Sequence, residues 1–118
     1  MQKNLTVVLQ HMLESAQKVA RYIDGHNKGS FVADEKLHQA VALNLLLIGE
    51  QSAAAIEINE AFTRAHPEID WLKLRNMRNQ IAHSYFSINI STIWNVAKIE
   101  VALTEKALPL LIAASVNI

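Results

Sequence analysis

Apolar residues recur three and four positions apart along nearly the whole chain, a helical pattern. From Asn4 to Asp24 the set Leu5, Leu9, Met12, Ala16, Val19 and Ile23 falls on one helical face, and Gly25 is placed to end that helix. His26 to Ser30 reads as a polar loop. A second helix opens at Ser30 or at Ala33-Asp34 and extends to Thr63 or Arg64, where His66-Pro67 stops it. Its centre, Ala40 to Ile48, is apolar almost all round, so it is either deeply buried or shares its second face with another subunit. Gly49 inside it costs about 1 kcal/mol relative to alanine, which points to a close helix crossing. Asp70 is a suitable N-cap for a third helix beginning at Trp71. Asn89 or Ser91 caps a fourth that runs to about Lys106, with Ile93, Trp94, Ala97, Val101 and Leu108 as core candidates. Pro109 kinks it or starts a final short helix. The pattern predicts an all-α bundle of four to five helices in a single domain, 1–118.

Composition narrows the chemistry. About half of the 118 residues are hydrophobic, enough for a core, and there is no cysteine. That excludes disulfides, a cysteine nucleophile and thiolate metal sites, and it fits a reducing cytoplasm. The polar start Gln2-Lys3-Asn4 is not that of a signal peptide, and the longest apolar run, Leu45 to Ile48 with Gly49, is too short to cross a bilayer. The expectation is a cytoplasmic protein without membrane contact. Formal net charge is zero, which argues against a domain that lives on long stretches of duplex. Yet no acidic residue occurs from Trp71 to Ile99, while Lys73, Arg75, Arg78 and Lys98 are basic. This is either a chance gap or a local positive surface for a short anionic ligand.

Chemistry is concentrated in one segment of that region, Arg78-Asn79-Gln80-Ile81-Ala82-His83-Ser84-Tyr85. Arginine holds phosphate in any protonation state, and histidine takes or gives a proton near neutral pH. The two suffice, without a metal, for cutting a phosphodiester next to a 2′-hydroxyl. With Arg78 at zero degrees on a helical wheel, Trp71, Leu74, Ile81, Ala82 and Tyr85 fall within roughly 60° of it. Asn76, Asn79, Gln80 and His83 fall between about 100° and 200°. Arg78 therefore sits at the edge of the apolar face, with a stem long enough to bring its guanidinium round to the His83 stripe. Such an arginine wants an acidic partner, and Glu50, just past the most apolar stretch, is the candidate to orient Arg78 or Arg75; alternatively it is simply the first solvent-facing position of its helix. His11, His26, His38 and His66 read as surface or cap residues, and no pair among them has the His-x-x-x-His spacing of a helical zinc site. Trp71 and Trp94 read as core.

These residues resemble a known family. Arg78-Asn79 followed by three residues and His83 matches the R-x(4–6)-H signature of HEPN domains, and His83-Ser84-Tyr85 extends it to the R-x4-H-x-Y of the HepT branch. Ala42 to Glu50 resembles that family's helix-two motif, His66 to Trp71 its turn into helix three, and Ile93-Trp94 its last long helix. The resemblance covers nearly the whole chain, without departure inside the motif.

The resemblance implies a HEPN-like bundle that pairs as a homodimer and acts as a metal-independent endoribonuclease needing no cofactor. It implies the toxin of a type VII-like toxin–antitoxin pair, whose antitoxin is a minimal nucleotidyltransferase of the MntA type. It places two R-x4-H segments face to face in a composite site at the dimer cleft. Carried over by position, Arg78 and His83 are catalytic and Tyr85 is the AMP acceptor or a substrate contact. Asn79 is the polar residue that follows the arginine, in a supporting place together with Glu50. Lys73 and Arg75 are expected to bind RNA phosphates. The alternative is a non-catalytic helical module that binds a nucleotide or partners a nucleotidyltransferase, although binding alone would not require the histidine.

Overall fold

A computed structural model describes residues 4–117. Within them the chain forms seven α-helices: α1 Leu5–Ile23, α2 Lys28–Ala33, α3 Glu35–Ile58, α4 Glu60–Ala65, α5 Trp71–Ser84, α6 Ile90–Lys98 and α7 Glu100–Ser115. A single 3-10 turn, Tyr85–Ser87, follows α5, and no strand occurs among the described residues. Five of these helices make the bundle, and the six-residue α2 and α4 bracket α3.

Local chemistry sets the boundaries. Asn4, Asp34, Asp70 and Asn89 each accept a backbone N–H in the first turn of α1, α3, α5 and α6. Gly25, with φ 78°, ends α1 in the left-handed region that favours glycine.

The helix expected to open at Ser30 or at Ala33-Asp34 and to reach Thr63 or Arg64 does open at the second of those starts, as α3, but it ends at Ile58, and Lys28–Ala33 and Glu60–Ala65 are separate short helices. The segment around His26–Ser30 is not all loop, because Asn27 and Ser30 form a reciprocal capping box that starts α2. Asp34 then caps α3, and Asn59 ends α3 while its side chain accepts the Phe62 N–H to start α4. The helix expected through Lys106 likewise divides at Ile99, and Pro109 lies inside α7 rather than at its start.

α3 is the axis of the bundle, packed chiefly on α5 and α1, while α7 lies against α1 and α6. It is the one described helix long and apolar enough to cross a membrane by length and composition. Its place between α1 and α5 accounts for that composition: Val41, Ala42, Leu45, Ile48 and Ala55 are buried there. The core candidates read from spacing on α1, α5 and α6–α7 are buried, and the structure adds Phe31 and Met77. Phe31, fully buried against Trp94 with ring centroids 5.2 Å apart, anchors α2.

α3 and α5 run antiparallel with a register fixed at three points. The buried Ser52 hydroxyl donates to the Trp71 carbonyl at 2.7 Å. Gly49 faces Leu74 and Arg78. Near the other end, His38 meets Tyr85. Trp71 is held from its far side as well, its indole N–H donating to the His66 carbonyl at 2.9 Å.

Candidate functional site

The register of α5 on α3 determines where Arg78 sits. Gly49 has no side chain, so the Arg78 backbone comes against α3, and a β-carbon there would lie 2.6 Å from the Leu74 carbonyl oxygen. With its stem held at the helix crossing, Arg78 is only 22% exposed. Its guanidinium Nη1 donates to Glu50 Oε1 at 2.6 Å, and Nε donates to Asn79 Oδ1 at 2.7 Å. Two of its five N–H donors are thus directed by neighbours, and the other three have no protein partner among the described residues. Glu50 pairs with Arg78 and not with Arg75. Asn79 engages the arginine rather than the His83 ring.

His83 lies exposed on the last turn of α5, and among the described residues no side chain hydrogen-bonds it. Arg75 is half-buried on the Arg78 side of α5 and has no ion-pair partner among the described residues. Lys73 is placed differently. Its ammonium pairs with Glu100 at the start of α7, and this hydrogen bond and charge hold its pKa above the usual lysine value.

Tyr85 falls just outside α5, in the 3-10 turn. Its hydroxyl lies 3.3 Å from His38 Nδ1 near the start of α3. Partial burial, with the negative charge of Glu35 nearby, pushes the phenol above its ordinary pKa, so it stays neutral at physiological pH. His38, expected at the surface, is half-buried beside Phe31 and Tyr85. Phe86, the next residue, is fully exposed.

The arrangement offers a half-buried oriented cation, an accessible imidazole on the same helix and a neutral phenol at its end. This set can bind a phosphodiester and move a proton beside it. Among the described residues no group of three or more His, Asp or Glu side chains is arranged to hold a metal ion.

An all-α bundle carrying this constellation fits the comparison with known families. The family of HepT-like ribonucleases matches residues 12–109, and the chain belongs to that family. It is 37% identical over 68 residues to a probable ribonuclease HepT of Thermococcus cleftensis, a match covering 58% of this chain and 59% of that relative's length. It is 29% identical over 98 residues to a candidate RNase of Caldanaerobacter subterraneus, covering 83% of this chain and 85% of the relative. A candidate RNase of Methanocaldococcus jannaschii is 28% identical over 94 residues, 80% of this chain and 75% of the relative. No solved structure matches the chain significantly.

Proposed function

We propose that this protein is an endoribonuclease that cuts RNA without a metal, and that it is the toxin of a toxin–antitoxin pair. The observation that carries this reading is the oriented Arg78, held by Glu50 and Asn79, on the same short helix as the exposed His83. Family membership and relatives named as ribonucleases support the substrate class.

In the proposed reaction His83 takes the proton of a ribose 2′-hydroxyl. The 2′-oxygen attacks the adjacent phosphorus, and the bond to the 5′-oxygen breaks. Arg78 stabilises the charge that grows on the phosphorane oxygens through charge-assisted hydrogen bonds. The products are a 2′,3′-cyclic phosphate and a 5′-hydroxyl. Arg75 adds positive charge on the phosphate side.

A proton must reach the leaving 5′-oxygen, and we assign this to His83 of the partner subunit in a homodimer with a composite cleft. Support comes from α3, where Leu43, Leu47, Glu50 and Ile58 lie on one exposed helical face. A second copy seated on that apolar strip would bring two Arg78–Glu50 pairs together.

Tyr85 is the proposed acceptor of AMP from an MntA-type nucleotidyltransferase antitoxin. The added phosphodiester would carry negative charge next to the α5 cations and exclude substrate phosphate.

The test is cleavage of RNA by the purified protein in excess EDTA, with the ends identified. The reading expects cyclic phosphate ends and undiminished activity; loss of activity with the chelator contradicts it. Intact mass after co-expression with an MntA-type nucleotidyltransferase encoded beside it should rise by one or more AMP units, and an unchanged mass removes the Tyr85 assignment.

A further inference from the structure

α5 and α6 scarcely touch, and a groove of about 580 Å³ runs between them. Its floor is the buried pair Met77 and Val96, and the Lys73–Glu100 ion pair bridges α5 to α7 along it. Towards the other end it meets a second hollow of about 410 Å³, with Gln80 and Thr92 lining both. That hollow reaches Ser84, the chain neighbour of His83.

We propose that this groove is the base-selecting subsite of the centre described above, a seat for nucleobases of single-stranded RNA next to the scissile phosphodiester. The proposal rests on the ribonuclease reading for its purpose and on the groove's own chemistry for its ligand.

The walls carry three amides, Asn76, Gln80 and Asn95, and the Thr92 hydroxyl. Among the described residues none of these side chains hydrogen-bonds another protein group. Each free amide offers two donors and an acceptor oxygen, the complement of a base edge. Leu72 and Ile99, 55% and 56% exposed, flank the amides with apolar surface suited to the faces of unstacked bases.

Charge separates this groove from the phosphate side. Its charged residues are Asp70, Lys73 and Glu100, and the one cation is held by Glu100. A phosphate backbone finds no free positive charge there. Around α5, Arg78 and Arg75 occupy about 0° to 60° and Asn76 and Gln80 about 160° to 200°, with His83 between them near 140°. One helix thus has a phosphate side and a base side, and the proton-transfer residue lies between the two. From His83 to Lys73 is ten residues, about 15 Å along the axis, room for a short run of nucleotides.

The test is cleavage of a pool of short single-stranded RNAs randomised around one site, with kcat/KM read for every sequence. The Gln80→Ala and Asn95→Ala variants should lose roughly tenfold on the preferred sequence and flatten the base preference, as expected for removed amide–base contacts. For Asn95→Ala the loss should fall mainly on KM. Unchanged preference and unchanged kcat/KM in both variants overturn the proposal. A second measurement does not depend on activity. His83→Ala protein is titrated with a mixed-sequence tetraribonucleotide while the side-chain amide resonances of Asn76, Gln80 and Asn95 are followed. Shifts in these amides support the groove even if wild-type protein cuts no RNA, in which case it is the ribonuclease reading that fails. Saturable binding without any shift in them overturns the groove, as does absence of binding.

Discussion

Gly49 and Arg78 meet where α3 crosses α5, with too little room between them for a β-carbon on the glycine. Helix propensity alone says that Gly49→Ala should stabilise by about 1 kcal/mol. The crossing says the reverse, because the added methyl meets the Leu74 carbonyl and the base of Arg78, neither of which can swing away. Overpacking of this kind costs about 1–3 kcal/mol. Urea denaturation of Gly49→Ala should therefore show a lower midpoint and, by displacing Arg78, reduced RNA cleavage. A raised midpoint would mean that the helices are not so close.

The Glu50–Arg78 pair is partly exposed, with Glu50 at 46%, so its contribution to stability is small, under about 1 kcal/mol. Its proposed role is to direct the guanidinium. Glu50→Gln should unfold at nearly the wild-type midpoint yet cleave RNA about tenfold more slowly, a loss that corresponds to about 1.4 kcal/mol in the barrier. Combined with Arg78→Ala, the Glu50 change should add little further loss. Additive losses in that cycle would remove the positioning role.

The arginine–histidine segment was legible in the sequence because its chemistry is local. Arg78, Asn79 and His83 share one helix, so 100° per residue suffices to place them. The caps Asp70 and Asn89 were legible for the same reason. Asp34 was one of the two starts the sequence offered for its helix, whereas Asn59 sits where the helical spacing continues across it, so the break between α3 and α4 was not expected. The choice of Arg78 over Arg75 as partner of Glu50 was not legible. It depends on the register of α5 on α3, set by Gly49 and by the Ser52–Trp71 bond, residues 19 or more apart. The His38–Tyr85 contact, 47 residues apart, left no sequence signal beyond two ordinary residues.

Lys73 and Arg75 are close in sequence but differ in surroundings, and RNA binding should separate them. Arg75→Ala should weaken binding of single-stranded RNA for all sequences and lower the salt slope by about 0.7. Lys73→Ala should change that slope little, since Glu100 already engages the ammonium. Equal slopes for the two variants, read from fluorescence anisotropy at several salt concentrations, would contradict this.

Tyr85 should ionise later than an ordinary tyrosine, because burial and Glu35 both disfavour the phenolate. The sign for stability follows. The folded state holds this proton more tightly than the unfolded chain, so the contribution is complete below about pH 10 and is lost as pH rises through the higher folded value. Phenolate absorbance followed through an alkaline titration should contain a late component that Tyr85→Phe removes. Glu35→Gln should bring that component to lower pH. A Tyr85 midpoint at or below the ordinary value would contradict the burial of its hydroxyl.

The role of His83 is tested most directly by the single-turnover rate of RNA cleavage in excess EDTA for wild-type protein and His83→Ala, with matched circular dichroism showing both to be folded. A fall of about 10²–10⁴-fold is expected when the imidazole is removed. A folded His83→Ala protein that cleaves within about threefold of the wild-type rate would contradict it.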